Sequence, residues 1–403
     1  MTQAAERPPA VTWRITLSDL DFGPEEEAAA LRVLRSKWLT LGPETQAFEE
    51  EFAAEIGVKH AVAVANGTAA LHLSLLALGV GRGDEVAQPA VNFVAAANMT
   101  VMTGARPAFC DIGSLEDPTL DPEGLARSLT PATKAVVVMH FGGAACRMDE
   151  IGDLCRDRGL ALIEDACHGV GGTFRGKKMG ALGDIAAFSF FSNKNLATGE
   201  GGMVTTDRDD LAAKVRLLRS HGMTSLTWDR HRGRTGSYGV VEHGLNCRLD
   251  ELRSAIGRAQ LRKLPANNAR RRALAREYHR LFDEEFAPLI TRGWIVPPLG
   301  VEGDEAAHHL MVALAPDQAE RDAAAAHLRS RGIQTSIHYP FIPDFAAFAQ
   351  EHPGLRERLK RSATFCDRVL TLPMHPLLTE GDVREVVAAL HDFGAATRPL
   401  FSS

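Results

Sequence analysis

No stretch of this chain approaches the ~18 consecutive apolar residues that a bilayer-spanning helix needs, and the opening MTQAAERPPAVTWR has no apolar h-region. A cytoplasmic protein is therefore expected. No CxxC pair occurs among the six cysteines, Cys110, Cys146, Cys155, Cys167, Cys247 and Cys366, which argues for reduced thiols and against a disulfide framework or a zinc site. The histidines do not suggest a metal either, since His308 and His309 are adjacent and cannot both aim at one ion from a regular helix. A basic stripe is also missing. The 45 basic and 51 acidic residues, net charge −6, are spread along the chain, so no nucleic-acid partner is expected. Internal repeats are absent, and the Ala-rich segments near 26–31 and 322–327 are helix formers, not linkers. GVGRGDE (79–85) follows a helix and precedes a strand, the reverse of a dinucleotide fingerprint, and reads as a helix C-cap and turn.

What is present is a chain of 403 residues, 45% hydrophobic and 24% charged with 36 glycines, the composition of a globular protein large enough for two domains. From residue 60, β-rich runs alternate with helical patterns: HAVAVA (60–65), TAALHLSLLAL (68–78), DEVAQP (84–89), NFVAAANMTVM (92–102), RPAFCDI (106–112), KAVVVMH (134–140), a helix around 147–158 and LALIED (160–165). Such alternation predicts an α/β fold with a mainly parallel sheet covered on both faces. After AAFSFF (186–191) and GGMVTT (201–206) a long helix-forming region follows at 253–286, then shorter elements, with HHLMVALAP (308–316) and a helix at 317–331. A domain boundary is placed near 255–265.

Three places could carry chemistry. In ANGTAAL (65–71), Gly67 and Thr68 open a helix after a strand, where unsatisfied N–H groups and the dipole favour an anion; taken alone this is also an ordinary N-cap. In LIEDACHG (162–169), Asp165 ends an apolar strand, where open α/β sheets bind ligands and where an acid also serves as a cap; His168 is equally open to either reading. In SFFSNKNLATGEGG (189–202), Lys194 lies between aromatics and glycines. It is either a solvated charge on a turn or a desolvated amine able to act as nucleophile and proton shuttle.

In that order, anion site, strand-end acid and late lysine resemble a fold-type I enzyme dependent on pyridoxal 5′-phosphate (PLP). More narrowly the chain resembles the DegT/DnrJ/EryC1/StrS family of sugar aminotransferases, through WLTLGPETQAFEEEFA (38–53), NGTAALHLSLLALGVGRGDEV (66–86), residues 163–206, GLNCRLDELRSAIG (244–257), GIQTSIHYP (332–340) and LTLPMHP (370–376). The resemblance implies an N-terminal arm (1–20), a large PLP-binding domain (21–258) with a mainly parallel seven-stranded sheet between helices, and a smaller C-terminal α/β domain (259–403).

It also implies roles. Lys194 would hold PLP covalently and move the proton, and Asp165 would pair with the pyridine nitrogen. His168 would contact the ring hydroxyl. Gly67, Thr68, Ala69 and Ser189 would cradle the phosphate, and Phe93 would stack on the ring. Asn246, with Arg248 nearby, would reach the phosphate of a neighbouring subunit, so a homodimer with shared sites is implied. Substrate contacts are expected from Leu39, Thr40, Arg248, His338 and Tyr339. Cys167 and Cys247, beside proposed site residues, are expected to be buried packing thiols. The loop 221–244 is either solvated or a lid bringing Trp228, Arg230 or His231 towards substrate phosphates.

The implied activity is transfer of an amino group from glutamate or glutamine to a keto sugar, expected to be nucleotide-linked. Alternatives are an inosose aminotransferase of aminocyclitol assembly, a PLP-dependent sugar dehydratase, and a cofactor-binding regulator. Dehydratases of this kind carry histidine at the lysine position, and here the residue is Lys194.

Overall fold

The computed structural model describes residues 12–225, 228, 231–233, 236–300 and 304–396. Its centre is a seven-stranded sheet. Six of the strands run in one direction, and the first five of these along the chain are β1 (His60–Val64), β2 (Glu85–Pro89), β3 (Arg106–Cys110), β4 (Thr133–Met139) and β5 (Ala161–Asp165). A two-residue hairpin, β6 (Thr173–Phe174) and β7 (Lys177–Lys178), precedes β8 (Ile185–Ser189) and β9 (Gly202–Thr206). The order across the sheet is β1-β9-β8-β5-β4-β2-β3, and β9 alone runs against both its neighbours. The C-terminal ends of β1, β8, β5, β4 and β2 therefore share one edge.

The strands read as near-continuous apolar runs because both faces are covered. Val62, Val137 and Ile163 pack into one layer with Leu71 and Leu75 of the helix α3 (Gly67–Ala77). Their neighbours along the strands point the opposite way: Ala61 and Ala63 meet Phe48 and Phe52 of α2 (Pro43–Ile56), while Val136 and Val138 meet Ile151 and Cys155. Period-two alternation thus packs both faces of the large sheet at once.

A second core lies around the antiparallel pair β10 (Met311–Leu314) and β11 (Val369–Leu372), covered by the helices Gln318–Ser330 and Glu380–Ala396. The helix Glu251–Glu285 serves both cores without a break. Its early turns press Gly257 so closely on Phe48 that a Cβ there would lie 2.6 Å from the ring. Its later turns bury Leu274, Tyr278 and Phe282 in the second core. No helix among the described residues is long and apolar enough to cross a membrane.

Candidate active site

The site begins where strands end. A cavity of about 400 Å³ opens at the shared edge, lined among others by Gly67, Thr68, Phe93, Asp165, Cys167, His168, Ser189, Lys194, His338 and Tyr339. At one side is the start of α3. Asn66 is its N-cap and accepts from Ala69 N–H at 2.8 Å. The N–H groups of Gly67 and Thr68 have no acceptor within the helix, so they remain for an anion. Gly67 packs directly on β8, where a Cβ would stand 2.8 Å from the Ser189 Cβ.

Across the cavity, the alternation of β5 separates two adjacent acids. Glu164 turns away and accepts from the N–H groups of Gly180, Leu182 and Gly183, each at 2.7 Å. Asp165 turns in and is 3% exposed. It accepts from Asn92 Nδ2 at 3.1 Å and from Cys167 N–H at 3.3 Å, and forms no ion pair among the described residues. A buried carboxylate held by two donors and lacking a cation suits a protonated ring nitrogen.

Lys194 follows β8 in a turn closed by its own N–H to Phe191 O at 2.9 Å. Burial pushes its amine below the usual lysine value, while Cys167 and Asp165 pull the other way. Its Nζ lies 3.4 Å from His309 Nε2. Of the neighbouring glycines, Gly199 takes φ +85°, and the close approach at Gly202 is to the protein's own backbone. A Cβ there would stand 2.5 Å from Asn66 C and 2.8 Å from Phe188 O, because β9 is squeezed between β1 and β8.

Three imidazoles ring the amine, and all are held neutral. Burial first, then Lys194, pushes His338 down to about 4. His168 and His309 are held well below the usual histidine range, again by burial first, with the Lys194 charge acting in the same direction on both. His168 Nδ1 faces the Gly142 N–H at 3.4 Å and its Nε2 faces the Tyr339 hydroxyl at 2.9 Å. Tyr339 in turn lies against Phe93, ring centroids 5.9 Å apart.

The expected substrate residues His338 and Tyr339 therefore reach the cavity, while others do not. Leu39 and Thr40 are exposed and do not line it; Leu39 O instead accepts from Glu251 N–H. Asn246 is exposed and Arg248 partly so, on a segment bridged to Ser220 and to Val64 beyond the sheet's edge. Ala69 also lies outside the lining, its N–H engaged by Asn66. Trp228 and His231 pack on Trp38, centroids 4.6 Å in each case, around a different cavity, and Arg230 lies outside the described residues. Cys167 and Cys247 are only half-buried. Cys167 lines the cavity because a residue two past a strand end still faces the crevice, and burial followed by the Asp165 charge keeps its thiol protonated.

A family model, the DegT/DnrJ/EryC1/StrS aminotransferase family, matches residues 21–391. The chain belongs to this family. Members are PLP-dependent sugar aminotransferases, and this chain is one of them. It is 39% identical over 377 residues to the spore coat polysaccharide biosynthesis protein SpsC of Bacillus subtilis (strain 168), covering 92% of this chain and 95% of that protein. Among solved structures, the aminotransferase TlmJ from Streptoalloteichus hindustanus superposes with a TM-score of 0.85 at 35% identity, over 95% of this chain and 99% of the other. Helicobacter pylori PseC, an aminotransferase involved in the biosynthesis of pseudoaminic acid, gives 0.85 at 28% identity, over 95% and 99%. The mainly parallel seven-stranded sheet is the one that fold-type I PLP enzymes share.

Asn92, Asn193, Asn195, Glu200 and His309 were not singled out by sequence reasoning. Asn92 had a usable signal, since it follows β2 as Asp165 ends β5. His309 had none, because 115 residues separate it from Lys194.

Proposed function

We propose that this sugar aminotransferase takes its amino group from glutamate or glutamine and delivers it to a keto sugar carried on a nucleotide, in the making of a polysaccharide or aminosugar. The observation that carries the reading is the meeting of Lys194, Asp165 and the α3 N-terminus in one cavity. When bound, PLP supplies the electron sink for a deprotonated carbon. Gly67, Thr68 and Ser189 would hold its phosphate, Asp165 would hold its ring nitrogen protonated, and Phe93 would cover the ring. The Lys194 amine would hold the cofactor and then move the substrate proton. Burial lowers its pKa, which favours the neutral amine that a base needs. His338 and Tyr339 would exclude water and contact the sugar.

The name of SpsC supports a polysaccharide setting. Asn246 and Arg248, displayed outside their own cavity, support a homodimer in which each subunit completes the other's phosphate site. The free thiols support a reducing, cytoplasmic setting. Incubation of the PLP-loaded enzyme with glutamate plus either a nucleotide-linked keto sugar or a free inosose, followed by product mass, tests the acceptor. Amination of the inosose alone would overturn the nucleotide-sugar reading.

A further inference from the structure

Behind Lys194 runs a chain of buried side chains that the proposed chemistry does not use. His309 is 4% exposed, Asn195 7% and Asn268 2%. Asn268 Nδ2 donates to Val170 O at 2.9 Å, which leaves its Oδ1 facing Asn195. Asn195 Nδ2 donates to that Oδ1 at 2.9 Å and to Ala307 O at 2.8 Å. Backbone carbonyls only accept, so both amides have one possible orientation. Asn195 Oδ1 then faces His309 Nδ1 at 3.2 Å, which must carry the proton, and the lone pair of Nε2 faces Lys194 Nζ at 3.4 Å.

The scaffold around this chain leaves no slack. Gly142 O accepts from His309 N–H at 2.8 Å, and Gly143 O from Ala307 N–H at 2.9 Å. Gly143 has φ +94°, and a Cβ on it would lie 2.7 Å from His308 N. At Gly171, φ +80°, a Cβ would lie 2.4 Å from Asn268 Nδ2. Both positions admit only glycine, so strand-end loops of the large sheet clamp the relay that comes from beyond it.

We infer that His309 is the positioning residue of Lys194, locked by Asn195 and Asn268 so that Nε2 accepts an N–H from the lysine amine, whose own lone pair then points into the cavity. The inference rests on the reading of Lys194 as the amine that holds the cofactor. An amine at the end of four freely rotating methylene carbons would otherwise sample orientations that miss the cofactor. His309 stays an acceptor because burial, then His168, Lys194, Arg271 and His338, disfavour its protonation. The other ionisable groups around Lys194 are Asp165, Cys167, Glu200 and Tyr339.

The test compares wild type, His309→Leu, which removes donor and acceptor, and His309→Gln, which can restore both. In full-length protein freed of cofactor, carbamylation of Lys194 by cyanate is followed against pH by peptide mass spectrometry. Loss of the acceptor should lower the midpoint by about one pH unit in His309→Leu, with return in His309→Gln. On adding PLP, the visible band of the covalent adduct should grow about tenfold more slowly in His309→Leu only. Equal midpoints in all three proteins overturn the inference, and a change in His309→Gln as deep as in His309→Leu overturns it too, since packing would then explain the effect. Failure of wild type to form any adduct at Lys194 would instead sink the reading of the lysine, whatever the midpoints.

Discussion

Asn92 and Asp165 come from the ends of two different strands, β2 and β5, and meet through an Nδ2–Oδ2 hydrogen bond of 3.1 Å. Asn92 is itself fixed, its Oδ1 accepting from Phe93 N–H at 2.6 Å. The amide thus aims the carboxylate and seats the residue that would cover the ring. Asn92→Leu should leave the melting transition near wild type and lower kcat/KM about tenfold, the loss of one hydrogen bond to a charged group. Steady-state kinetics beside a thermal melt checks this.

Lys194 is half-buried and forms no ion pair among the described residues, and desolvation of its amine disfavours the charge. Lys194→Met should abolish transamination while the cofactor-free protein becomes more stable by about 1 kcal/mol. Urea unfolding without cofactor reads the second effect. A large destabilisation would assign the lysine a structural role.

Acid should weaken the fold over a defined window. His308 and His338 are both held down to about 4, by burial first in each case, against 6.5 in the unfolded chain. Between these values the unfolded state binds more protons, so stability is full above pH 6.5 and declines as pH falls towards 4. Each histidine should remove about 1–2 kcal/mol by pH 5. His308→Gln should narrow the difference between urea midpoints at pH 7.5 and pH 5.

Asn246, exposed on its own subunit, should act on its partner's site. Asn246→Ala should weaken PLP binding about tenfold and Lys194→Ala should be inactive. Mixed and re-associated, the two should regain about a quarter of wild-type activity, because half the dimers are hybrids with one intact site of two. A mixture no more active than its parts would place Asn246 outside the shared site.

The large sheet was legible because its strands carry their own signal. β1, β2, β4 and β5 are apolar runs bounded by turn residues, and each was expected within one or two residues of where it lies. Lys194, Asp165 and the start of α3 could be singled out because each sits at a strand end, a position that sequence order reveals. The loop containing Trp228 was harder to place, since its contact with Trp38 depends on packing that no local pattern records. The His309 relay was invisible for the same reason. It joins residues 170, 195, 268 and 309, and only the folded chain brings them within hydrogen-bond reach.

The most direct test of the central claim is the visible absorbance of the purified protein with PLP, before and after glutamate or glutamine is added. The account predicts a band from cofactor held by Lys194, absent in Lys194→Ala, that is lost as the donor hands over its amino group. A band that Lys194→Ala retains, or one in wild type that neither donor changes, would contradict it.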